Sequence, residues 1–204
     1  MNNLTVVQFR KMLHTALLAV KEKEDYFSQL DAVTGDGDHG TAIVTALSAA
    51  MEASAEASDF KGMFNGIGFG IMLNTSGSMS TLMGGFFLGM ADGISGTEAN
   101  AEQLKAMFRS GLAGVAKNTK AAVGDKTMMD ALIPAVEAIA ACESDDINLI
   151  LKAGANAAKL GAEATIAMKA NFGRARNYGE RSVGTMDAGA SSWATIFEAF
   201  SKAI

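Results

Sequence analysis

The feature that most restricts this chain is its punctuation. Apolar residues recur at helical spacing along almost all of its 204 residues, and the only breaks are glycine- and aspartate-rich turns, with one proline in the whole chain. Sparse proline with abundant Ala, Leu and Met favours helix, and apolar periodicity near 3.6 residues sets where each helix runs. The spacing predicts helices over 6–30, 41–56, 61–73, 80–91, 98–116, 127–142, 146–169 and 191–202. Phe9, Leu13, Leu17 and Val20 mark the core face of the first, and Trp193, Ile196, Phe197 and Phe200 that of the last. Asp125 is a candidate N-cap for the sixth, and the seventh has possible interruptions at Gly154 or Gly161. No strand pattern is evident. The 22 glycines then need a second explanation, either positive φ in turns or close approach of backbones or ligands.

Eight helices with short connections predict an all-α, up-and-down antiparallel barrel or bundle, read as one domain over 1–204. In that topology the connections 34–40, 74–80, 118–126 and 171–190 all lie at one end. They hold nearly all the Gly/Asp/Ser-rich sequence, so that end reads as the functional face. The turns at 57–60, 92–97 and 143–146 are ordinary polar turns.

Composition excludes several classes. Hydrophobic residues make up 49% and charged residues 19%, which supports a substantial core rather than disorder. A formal net charge of -5 with scattered Lys and Arg lacks the footprint of a nucleic-acid binder. A single cysteine, Cys142, rules out an intrachain disulfide and four-cysteine metal sites. The N-terminus lacks a signal-peptide pattern, and the longest apolar run, near 82–91, is too short to span a bilayer, so a cytoplasmic protein with no membrane association is expected.

The sharpest motif is Asp31 followed by Gly35-Asp36-Gly37-Asp38-His39-Gly40. Glycines let Asp36 and Asp38 turn toward one point that Asp31 also reaches. Hard carboxylate oxygens in that arrangement suit Mg2+, which takes one or two carboxylates with phosphate oxygens and water. The following helix N-terminus would face a phosphate beside the metal, with His39 placed to touch the nucleotide. An EF-hand is rejected, because the fifth and twelfth positions counted from Asp36 are Gly40 and Leu47. The formal dinucleotide fingerprint at 35–40 has no preceding strand. A solvated aspartate turn remains an alternative reading of the motif alone.

The other turns are less specific. Gly77-Ser-Met-Ser80 permits close ligand approach or is a plain capped turn. Gly124-Asp-Lys-Thr-Met128 lacks the spacing of a P-loop, so Lys126 is not a Walker lysine. Arg174 suits a phosphate or is a surface charge. The thirteen methionines serve as core filler or as a slot for a base.

GDGDHG at 35–40, GDKTMMDAL at 124–132 and GRARNYGERSVGTMDAGASS at 173–192 resemble the nucleotide-binding L subunit of dihydroxyacetone kinase. The same domain forms the C-terminal half of single-chain dihydroxyacetone kinases and occurs in fatty-acid kinases. The resemblance implies an eight-helix antiparallel barrel holding ADP or ATP with Mg2+ at one end. It implies metal ligation by Asp31, Asp36 and Asp38. It further implies nucleotide contacts from His39, Gly40, Thr41 and Ala42, from Met79 and Ser80, from Thr119, Met128 and Arg174, and from Asp187, Ala188 and Gly189. No catalytic residue is expected in this chain. A partner K subunit would hold the ketose on its own histidine, a phosphohistidine-carrying M subunit would rephosphorylate the bound ADP, and the L subunit would form a homodimer. Two other functions of such a chain are a nucleotide module for another sugar or acyl kinase, and a sensor of nucleotide state reporting to a transcription regulator. The departures from the family pattern are Ala42 for asparagine, Gly77-Ser-Met-Ser-Thr-Leu82 for a Gly-Gly-Ala-Ser-Gly-Pro turn, Ala188 for the proline of Asp-Pro-Gly, and Thr185 for histidine. They mark a divergent paralogue.

Overall fold

A computed structural model of the protein describes residues 3–204. Helix α1 (Val6–Glu22) opens on a capping box in which Thr5 and Gln8 satisfy each other's backbone N–H groups. The first predicted helix then breaks at Lys23, and α2 (Glu24–Ala32) carries the chain on to the aspartate turn. Next come α3 (His39–Ser54) and α4 (Phe60–Asn74), a π-helical turn (Met79–Met83) running into α5 (Gly84–Asp92), and α6 (Ala101–Ala116). The chain finishes with α7 (Met129–Ala141), α8 (Ile147–Ala164) and α9 (Ala188–Ala203).

Taking α1 and α2 as one broken rod, the described residues form eight rods that close into a ring: each packs on its neighbour in sequence, and α9 returns to α1. The glycines report the directions. Cβ atoms added to α4 Gly66 and Gly70 would meet Ala53 and Ala49 of α3, and Gly68 lies against Gly84 and Leu88 of α5. Gly85, Gly89 and Gly93 face Gly114, Ser110 and Ala106 in turn, so α5 and α6 are antiparallel. A methyl on Gly89 would strike the Ser110 carbonyl, because the two backbones touch there. This accounts for most helical glycines: they permit close approach of backbones. Pro134 lies inside α7 and leaves the Asp130 carbonyl without its intrahelical partner. The Cα of Gly161 in α8 packs on that oxygen.

The interior is aromatic. Phe9 meets Phe64 edge-on with ring centroids 4.9 Å apart, and Phe86 meets Trp193 the same way at 4.9 Å. Phe60, Phe87, Phe108, Phe197 and Phe200 complete a cluster with almost no solvent exposure.

Several local expectations need correction. A two-residue antiparallel pair, β1 (Leu4–Thr5) with β2 (Glu98–Ala99), ties the ends of α1 and α6 together, so α6 starts at Ala101 rather than Glu98. α8 runs unbroken through Gly154 and Gly161 and ends at Ala164, because these glycines seat α7 rather than bend the helix. Asp125 does not cap α7. Its carboxylate instead accepts the Ala122 N–H at 2.8 Å and the Asn171 amide at 3.1 Å. Among the described residues no helix is long and apolar enough to cross a membrane.

Candidate functional site

Asp31 occupies the last turn of α2, where its carbonyl accepts the N–H groups of Thr34 (3.0 Å) and Gly35 (2.6 Å). Gly37 adopts φ +78°, which only glycine takes without strain, and its N–H donates to Asp31 Oδ2 at 2.8 Å. This turn brings carboxylate oxygens of Asp31, Asp36 and Asp38 within 4.8 Å of one another, with Asp31 half-buried and the other two exposed. Gly35 lies so close to the Asp31 carboxylate that a side chain there would displace it. The Arg174 guanidinium, from the loop before α9, forms an ion pair with Asp36. That pairing pulls the Asp36 carboxyl below its ordinary range. Partial burial, reinforced by Asp36, pushes Asp38 up. Three carboxylates against one guanidinium leave an excess of negative charge at a cluster of hard oxygen donors. That chemistry fits Mg2+.

Beside the cluster is a cavity of about 660 Å³ walled by all four connections of this end. The helix termini differ between the two ends of the barrel. At the far end α1, α4, α6 and α8 are capped by Thr5, Asp59, Asn100 and Asp146. At the cavity end α3 and the π-helical turn leading into α5 have no side-chain cap bond, whereas the first N–H groups of α7 go to the Thr127 hydroxyl (3.1 Å) and to the carbonyls of Thr127 (3.0 Å) and Met128 (3.1 Å). The first two therefore leave free N–H groups and the positive ends of their dipoles at the cavity mouth, where an anion satisfies both. At the same end α9 is capped by Asp187, whose carboxylate accepts the Ala190 N–H at 2.7 Å.

A buried polar network supports this wall. Asp130, with no solvent exposure, accepts the N–H groups of Gly124 (2.6 Å) and Thr127 (2.7 Å). Lys126 lies between them, and its ammonium donates to the carbonyls of Thr165 (2.6 Å) and Thr185. The Thr165 hydroxyl accepts the Asp187 N–H at 2.9 Å. Burial pushes the Lys126 ammonium pKa down and raises that of Asp187 from 3.8 to about 6.

The structure gathers Asp31, Asp36, Asp38, His39, Thr41, Ala42, Met79, Thr119, Met128, Arg174, Asp187, Ala188 and Gly189 around this cavity. Gly40 and Ser80 are not on its wall. Gly40 is buried, with its Cα pressed on the Glu24 carbonyl, so it fixes α3 against α2. Ser80 turns its hydroxyl toward the Met72 carbonyl at 3.3 Å. His39 is held by the Ser192 hydroxyl at 2.9 Å and packs edge-on to Phe27, and its burial lowers its pKa. Met83, Met129 and Met186 join Met79 and Met128 on the wall, with Trp193 behind them. Sequence reasoning missed Lys126 and Asp130. The second has a readable signal, an acid in the first turn of an otherwise apolar helix.

Comparison with known proteins places this geometry among relatives. The model of the DAK2 domain matches residues 33–202. The ADP-binding subunit DhaL of PEP-dependent dihydroxyacetone kinase 2 from Listeria innocua is 33% identical over 198 residues, covering 91% of this chain and 90% of that one. D-erythrulose kinase from Mycolicibacterium smegmatis is 34% identical over 188 residues, 86% of this chain but only 32% of its own length. The crystal structure of the dihydroxyacetone kinase from C. freundii in complex with AMP-PNP and Mg2+ superimposes with a TM-score of 0.76 at 25% identity, covering 100% of this chain and 35% of that one. The chain thus matches a separate subunit nearly end to end and spans about a third of the length of the single-chain kinases.

Proposed function

The chain belongs to the DAK2-domain family, with the ADP-binding subunits of dihydroxyacetone kinase, and from that premise we propose that it is the ADP/ATP- and Mg2+-binding subunit of a phosphotransferase-system-dependent kinase for dihydroxyacetone or a related short ketose. The observation that carries this reading is the coincidence, at one mouth, of a three-carboxylate cluster and two helix N-termini without side-chain caps. One feature suits a divalent cation, the other a polyphosphate, and Mg–nucleotide is the ligand that needs both.

In this reading Asp31, Asp36 and Asp38 hold the metal. When bound, Mg2+ neutralises charge on the phosphates during transfer. The N–H groups opening α3 and the π-helical turn orient phosphate oxygens, and Arg174 exchanges its contact with Asp36 for one to phosphate. Met79, Met83, Met128 and Met186 offer a polarizable slot for the base. His39, fixed by Ser192 and kept from charging by burial, lines the site as a neutral group. The work of this chain is positioning and charge stabilisation. The group that holds the ketose belongs to a partner K subunit, and the phosphoryl donor is a phosphohistidine M subunit.

The test is reconstitution. The purified chain, a K subunit, a phosphorylated donor subunit and dihydroxyacetone or erythrulose are combined, and the phosphorylated sugar is measured. The expected result is transfer that requires this chain and stops when Asp38→Asn replaces it. Nucleotide binding without transfer to any short ketose would sink the kinase reading and favour a sensor of nucleotide state.

A further inference from the structure

Between α8 and α9 the chain leaves the bundle as a strap, residues 166–184, that carries Arg174 across the cavity mouth to Asp36. The feet of the strap are held side by side. The Gly184 N–H donates to the Ile166 carbonyl at 2.8 Å, and just below it the Asp187 N–H donates to the Thr165 hydroxyl. Lys126 reaches the same place from a third segment, its ammonium donating to Thr165 on one foot and Thr185 on the other. Next to it, Asp125 grips the strap at Asn171 through both its carbonyl (3.1 Å) and its carboxylate (3.1 Å).

Holding Lys126 there is costly. The residue is 4% exposed, and no carboxylate among the described residues forms an ion pair with it. It is also the only non-glycine residue among those described with positive φ, +59°, a conformation unfavourable for any residue with a Cβ. The two Asp130 bonds flanking it hold that backbone in place. Local strain and a buried cation persist where their surroundings over-determine them, and such places cluster at ligand clamps.

We propose that Lys126 is a positioning residue of the nucleotide site: its ammonium clamps the two feet of the 166–184 strap, and so holds Arg174 and the N-terminus of α9 in fixed relation across the cavity. The proposal rests on the reading of the cavity given above, but the clamp itself is measurable without any ligand.

The full chain is prepared as Lys126→Met, Lys126→Gly and Lys126→Arg. Trypsin cleavage in the ligand-free protein is followed by mass spectrometry at Arg174, Arg176 and Arg181 on the strap and at Lys152 and Lys159 on α8, alongside thermal melting and titration with ADP and Mg2+. Lys126→Met removes two charge-assisted hydrogen bonds, so strap cleavage should rise by about tenfold or more, with cleavage in α8 unchanged. Affinity for ADP–Mg2+ should fall by a similar factor. Lys126→Gly relieves the left-handed backbone, so it should melt no lower than Lys126→Met while its strap is equally labile. Lys126→Arg, which can still donate to both carbonyls, should restore much of the protection. Unchanged strap cleavage in the Met and Gly variants overturns the clamp. A parallel rise at the strap and α8, tracking lower melting, also overturns it, because Lys126 would then serve general stability. If the wild-type chain binds no ADP–Mg2+, the reading of the cavity fails, while the strap cleavage still decides the clamp.

Discussion

Asp187 gives the sharpest test of the electrostatics of this site. It caps α9, yet burial dominates its titration and raises its carboxyl from 3.8 to about 6, against the pull of the Ala190 N–H. The negative charge of Asp130 adds to the rise and the Lys126 ammonium opposes it. The folded protein therefore holds this proton more tightly than the unfolded chain. Between about pH 4 and pH 6 the unfolded chain has released it and the folded one has not, so stability falls as pH rises through that window, and the loss is complete above it. A rise of roughly two pH units at ~1.4 kcal/mol each amounts to ~3 kcal/mol. Asp187→Asn keeps an oxygen to cap the helix and removes the charge. In ligand-free protein the variant should match wild type at pH 4 and exceed it by ~2–3 kcal/mol above pH 6.5, which raises Tm by ~5–10 °C. Urea unfolding of both proteins at intervals from pH 4 to 8 measures this, and the difference cancels every group they share. A difference that does not vary with pH, or a variant less stable than wild type at pH 7, refutes the reasoning.

Gly35→Ala should displace the Asp31 carboxylate and weaken Mg2+-dependent nucleotide binding by ~10–100-fold, read by calorimetric titration, with little change in melting. Arg174→Gln frees Asp36 from its guanidinium, so Mn2+ alone should bind more tightly, by paramagnetic relaxation, while ADP–Mg2+ binds more weakly. Gly89→Ala forces α5 off the α6 backbone at Ser110; overpacking of that kind costs ~1–3 kcal/mol and should lower Tm by several degrees in a melting scan.

Much of this was legible because the signals are local. The 3.6-residue periodicity, turn residues and short connections yield the barrel and place four connections at one end. Asp31, Asp36 and Asp38 share one short turn, so their convergence needs only glycine geometry. What escaped the sequence depends on distant partners. Asp125 looks like an N-cap until Asn171, far along the chain, claims its carboxylate. Lys126 looks exposed until the carbonyls of Thr165 and Thr185 arrive from another segment. The break at Lys23 and the π-helical turn at Met79–Met83 leave no change in apolar spacing to read. Gly40 and Ser80 sit within site motifs, yet one seats a helix and the other faces a neighbouring carbonyl.

The central claim is that one mouth of the barrel binds a nucleotide through a metal held by the aspartate turn. The most direct measurement is calorimetric titration of ADP into the nucleotide-stripped chain with Mg2+ and with EDTA, repeated for Asp36→Asn and Asp38→Asn. The account predicts binding that requires Mg2+ and falls by more than ~100-fold in either variant, a larger loss than removing a supporting residue causes. Binding of equal strength in EDTA, or variants that bind like wild type, would contradict it.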